Sequence, residues 1–116
     1  MEKDFIPYQL ALRMKALQFD YDCFAFYQIE YHEDTPIMVD DDSQYRVSGL
    51  RTCKNSEIPE HYIAAPLYQQ VFRWFRKNHK LSHIWIMDEL LDSGELTYEE
   101  AELHCLTKLV EIVESK

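Results

Sequence analysis

Glu100 and His104 stand four residues apart, a spacing at which one helix face can present two ligands to a metal ion. The same pair reads as part of a solvated charge ladder with Lys108 and Glu111. No other His or Cys stands at ligand spacing from it. Asp40, Asp41, Asp42 and Ser43 offer loop oxygens to a divalent cation, but without the alternating ligands and the glycine of a calcium loop. As a solvated loop, the same acids would discourage edge pairing. Cys23, Cys53 and Cys105, with His32, His61, His79 and His83, hold the parts of a nucleophilic pair. Such a pair works only where thiol and imidazole come into hydrogen-bond contact in the fold. The nucleophile elbow, phosphate loop, zinc helix and dinucleotide fingerprint are all missing. The sequence therefore assigns no catalytic residue, no metal site and no cofactor.

The better candidate is a binding face. In APLYQQVFRWFRKNH, a helical period puts Leu67, Tyr68, Val71, Phe72, Trp74 and Phe75 on one arc. Gln69, Gln70, Arg73, Arg76 and Lys77 fall on the opposite arc, and Lys80 extends the stripe. Arginine forks suit phosphate or carboxylate, and glutamine can read a base edge. The helix end also favours Arg76, Lys77 and Lys80 without any partner, through the macrodipole. The stripe is free of acids in a chain of net charge −9.

Periodicity supplies the helices and strands that carry these side chains. Pro7 suits the first residue of a helix running to Leu17. Its apolar residues gather on two sides, Leu10, Met14 and Leu17 against Tyr8, Leu12 and Phe19, which predicts a wedged helix. Cys23–Tyr31 alternates as a strand, with Cys23, Ala25, Tyr27, Ile29 and Tyr31 on the buried face and the other face buried only at its start. His32–Pro36 is a turn into an antiparallel partner at Ile37–Val39, and Gln44–Leu50 is a candidate third strand. Residues 51–62 read as irregular. Pro66 opens the second helix and Asn78 ends it; Leu81–Glu89 alternates as a fourth strand. Asp92-Ser93-Gly94 is a turn, and Thr97-Tyr98-Glu99-Glu100 a capping box opening a last helix to Glu114. The predicted fold is one α+β domain over residues 1–116, three helices packed on an antiparallel sheet of about four strands, in the order α-β-β-(β)-α-β-α.

Bulk properties narrow the function. A chain of 116 residues, 47% hydrophobic, buries roughly two-thirds of its unfolded surface, enough for a core without metal or disulfide support. Three cysteines with no CxxC pair are neither a disulfide framework nor a zinc pattern. The N-terminus lacks the apolar region of a signal peptide, and no stretch is long enough to span a membrane. A reducing cytoplasm is the expected location. The negative charge is spread over both halves and works against nucleic acid and anionic membranes.

Three stretches, FIPYQLALRMKALQFDYDCFAFY, APLYQQVFRWFRK and TYEEAELHCLTKLVEIVESK, resemble a group of small uncharacterised proteins encoded by Bacteroides-type phages and prophages. The resemblance covers roughly half the chain and leaves out residues 32–62. It implies a mobile-element origin in a bacterial host cell and carries no activity. Gln18, where the group has glycine, and His104, where it has alanine, depart from it. Aromatic richness, acidity and the lack of a catalytic motif point to a non-enzymatic protein-binding module, acting on a protein partner or by self-association. The alternatives are nucleic-acid binding through Gln69–Lys80, and a small enzyme without a recognisable motif.

Overall fold

Pro7, extended at φ −63° and ψ 156°, feeds the chain into α1 (Tyr8–Ala16), where the N–H that proline lacks has no intrahelical partner to lose. The structure, a computed structural model, describes residues 4–29, 36–38 and 52–116. Asp40–Ser43, the candidate strand Gln44–Leu50, His32 and most of the expected turn before Pro36 lie outside the described residues. The described chain divides into two compact units, Met1–Leu67 and Tyr68–Lys116.

In the first unit α1 buries Tyr8, Leu10, Ala11 and Met14, while Leu12 is exposed. Tyr8 and Phe19 of the second side are buried as well, so Leu12 alone of that side departs from the wedge. The helix ends where Gln18 takes a left-handed φ of 72°. The Phe19 and Gln18 N–H groups then donate to Met14 O and Lys15 O, both at 3.0 Å, which satisfies two terminal carbonyls. Phe19 and Met14, both fully buried, pack this cap into the core.

Strand β1 (Ala25–Gln28) is central in a three-stranded antiparallel sheet of order β2–β1–β3. β2 is only Ile37–Met38, paired through Ala25 with Met38 and Phe26 with Ile37. β3 is Tyr62–Ala64, paired through Phe26 with Ala64, Tyr27 with Ile63 and Gln28 with Tyr62. The face carrying Cys23, Ala25 and Tyr27 is buried, as its alternation predicts. On the other face Phe24 is exposed and Phe26 buried, the reverse of the expected order.

β3 lies at the end of the segment expected to be irregular. Its neighbourhood is built from long-range bonds that no local pattern announces. Asn55 Nδ2 donates to Phe19 O at 2.9 Å and its Oδ1 accepts from the Ala64 N–H at 2.9 Å. Lys15 reaches along α1 to donate to Tyr62 O at 3.1 Å.

The second unit is helical: α2 (Tyr68–His79), α3 (Ile84–Asp92) and α4 (Tyr98–Glu114). The expected strand at Leu81–Glu89 is thus a correction, because that stretch forms most of α3. On a strand Ile84 and Ile86 would share a face; on a helix they lie about 200° apart. Ile86 is 1% exposed and Ile84 56%, as a helix requires. A short apolar run cannot separate the two periods. The rest of the segment decides for the helix, since Met87, Glu89, Leu90 and Leu91 are good helix formers without a β-branch.

The capping box forms as expected. Thr97 Oγ1 accepts from the Glu100 N–H at 3.1 Å, and Glu100 Oε1 accepts from the Thr97 N–H at 3.0 Å. Gly94, at φ +72°, makes the turn between α3 and α4, with its N–H donating to Leu91 O. The chain is mixed α and β with antiparallel strands, but three helices on a four-stranded sheet is overturned. Among the described residues there are four helices and three short strands, one helix with the strands in the first unit and three helices in the second.

Candidate functional site

Helix α2 follows its aromatic arc. Tyr68, Val71, Phe72, Trp74 and Phe75 are buried, and each large apolar side chain so removed from water contributes roughly 1.5–3 kcal/mol to the unit. Gln69, Arg73, Arg76, Lys77 and Lys80 are consequently exposed, and Gln70 is half-buried. The helix runs one residue past Asn78, to His79. Lys80 then turns the chain at a left-handed φ of 55°, and the Leu81 N–H donates back to Phe75 O at 3.2 Å.

Gln69, Gln70, Arg73 and Arg76 border an open groove of ≈ 490 Å³, while Lys77 and Lys80 lie outside it. The rest of the groove comes from residues that the sequence did not join to the stripe: Phe72 from α2, His83 from the turn before α3, and Tyr98 and Glu102 from α4. Among the described residues neither Arg73 nor Arg76 has an ion-pair partner.

His83 lies flat on Phe72, with ring centroids 4.3 Å apart and planes at 2°. Its Nδ1 is buried and has no hydrogen-bond partner among the described residues. Burial pushes the imidazole below its ordinary pKa, and the nearby Arg76 guanidinium pushes it further down. The ring is therefore neutral at pH 7. An enclosed N–H without an acceptor is costly, so the proton belongs on Nε2. Arg73, Arg76, His83 and Tyr98, each able to donate a hydrogen bond, line the groove together with Phe72. Such a set suits a carboxylate or phosphate attached to a flat or apolar group. Among the described residues Glu102 is the one acid on the wall. It helps to hold the buried Tyr68 phenol protonated, after burial itself, to about pH 12.

The other sequence candidates are dispersed. His104 and Glu100 are exposed on α4, and the Glu100 carboxyl is held below its ordinary pKa chiefly by its bonds to Thr97. Among the described residues no group of three His, Cys, Asp or Glu side chains could hold a metal ion. The Cys105 thiol points to the backbone oxygen of His83, at 3.7 Å, rather than to an imidazole. His61 and His79 rest against aromatic rings, on Tyr62 and on Trp74. Among the described residues no helix is long and apolar enough to cross a membrane.

No protein-family model matches the chain, and neither a curated protein nor a solved structure is significantly similar to it.

Proposed function

We propose that this chain is a non-enzymatic protein-binding module, and that its groove receives an acidic segment of a protein partner. One observation carries this reading: two exposed arginines without ion-pair partners among the described residues border one groove with a neutral, stacked histidine, in a chain of net charge −9. A guanidinium pair bordered by aromatic rings favours a carboxylate beside an apolar or aromatic side chain. A second copy of the chain is one source of such a segment. The nine Asp and Glu of residues 68–116 all lie beyond α2, and on α3 Asp88, Glu89 and Asp92 are exposed beside Ile84 and Trp85. The bacterial cytoplasm and a phage or prophage origin belong to the same proposal, the first supported by three free cysteines.

Capture from nuclease-treated host lysate, compared between the natural chain and Arg73→Glu/Arg76→Glu, tests the reading. A protein retained by the former and lost by the latter is the expected result; equal capture removes the groove from consideration. Sedimentation equilibrium of both chains identifies self-association as the source.

Nucleic-acid binding is the second reading, because Lys77 and Lys80 continue the cationic stripe beyond the groove. It requires binding to labelled DNA or RNA that falls steeply with salt and is lost in the same double variant. Absence of binding at ~50 mM salt ends it.

A further inference from the structure

Cys23 and Cys53 are distant in sequence and directly opposed in the first unit. The Cys23 N–H donates to Cys53 O at 2.6 Å, and the Cys53 N–H donates to Cys23 O at 2.8 Å. A pair that exchanges both bonds is the hydrogen-bonded type of antiparallel pair, whose Cα atoms lie about 5.5 Å apart. Disulfides span Cα separations of roughly 4.4–6.8 Å. Opposed residues also send their side chains to the same face of the ladder. Both cysteines are free and wholly buried.

We propose that Cys23 and Cys53 are a latent disulfide site, which closes as the paired strands draw together when a small-molecule disulfide oxidises them.

The present bonds of the thiols are no obstacle. Cys23 Sγ donates to Tyr21 O at 3.3 Å and Cys53 Sγ to Ala25 O at 3.5 Å, both weak sulfur bonds. The gate is burial. It opposes ionisation of both thiols, and each negative neighbour adds to this: Cys53, Asp22 and Asp20 at Cys23, Asp22 at Cys53. The pair therefore rests as dithiol and reacts only through local opening.

In the opened state one cysteine loses its proton to solvent, and the thiolate attacks a sulfur of the external disulfide. A mixed disulfide forms and one small thiolate leaves. The second cysteine, also deprotonated, then attacks the protein sulfur of that mixed disulfide and expels the other small thiolate. Two protein thiols are oxidised, and one external disulfide is reduced to two thiols.

Cys105 provides the internal comparison. It is buried in the second unit, where it is the only cysteine, so alone it can yield only a mixed disulfide.

The folded full chain is incubated with oxidised glutathione, acid-quenched, alkylated and mapped by peptide mass spectrometry. The expected product is a peptide pair joined through Cys23 and Cys53, lighter by two hydrogens, while Cys105 is alkylated or glutathionylated. The linked protein unfolds at higher urea than the reduced one, because the bond closes a long loop of the unfolded chain. Cys105→Ser retains both effects, and Cys53→Ser loses both. Separate glutathione adducts on Cys23 and Cys53 without a link would overturn the assignment, as would a linked protein that unfolds at lower urea. Mapping of the unsubstituted chain decides the matter even if Cys53→Ser fails to fold.

Discussion

At neutral pH the imidazole of His83 is uncharged because burial against Phe72 denies an imidazolium its water, and the Arg76 guanidinium repels it. In the unfolded chain the same group titrates near ~6.5. Between the two values the unfolded chain holds a proton that the folded chain lacks, so acidification favours unfolding. The loss begins as pH falls below the unfolded value and is complete below the folded one. Urea unfolding of the natural chain and His83→Gln at pH 7 and pH 5 measures it: the drop in stability on acidification is expected to be smaller in the variant. An equal drop would assign the effect to other groups.

Gln18 raises a backbone question of the same size. It holds φ 72° at the end of α1, where a side chain meets its own carbonyl and glycine does not. Gln18→Gly is therefore expected to stabilise the chain by about 1 kcal/mol, seen as a higher urea midpoint at unchanged slope.

Among the helices and strands the informative case is α3. Its first residues, Ile84-Trp85-Ile86-Met87, satisfy a strand and a helix alike; the helix formers that follow select the helix, which buries Ile86 and Met87. Ile86→Ala is expected to cost about 2–4 kcal/mol, and Ile84→Ala less than ~0.5 kcal/mol. Chemical denaturation of the two variants checks this; equal costs would return the segment to a strand with both residues on one face. α2 and α4 are legible for a different reason. α2 carries five core residues against an unbroken polar stripe, and α4 opens on a capping box, so several independent signals agree. β3 offers no such signal, because Tyr62-Ile63-Ala64 is buried throughout and too short to alternate visibly.

Over the full chain, net charge and local charge oppose each other. The −9 field repels an acidic partner at a distance, while Arg73 and Arg76 attract it at contact. Long-range repulsion is screened first, at a Debye length of about 10 Å in 0.1 M salt. Association with an acidic protein segment is therefore expected to quicken between ~50 and ~150 mM salt, whereas nucleic-acid binding would weaken steeply over that range. Stopped-flow or surface-binding rates at the two salt concentrations separate these outcomes.

The order of residues alone establishes which side of α2 is polar, where α4 begins, and that the chain offers no motif for catalysis. These are properties of neighbours a few residues apart, and the helical period writes them into the chain. The same period places Arg73 and Arg76 on one exposed face. Folding in three dimensions was needed to learn that Gln69, Gln70, Arg73 and Arg76 border a groove with His83, Tyr98 and Glu102, that Lys77 and Lys80 stand outside it, and that Cys23 faces Cys53. Those meetings depend on how separate helices and strands pack. That packing is chosen by buried area summed over many side chains, so it leaves no trace in the spacing of the residues brought together.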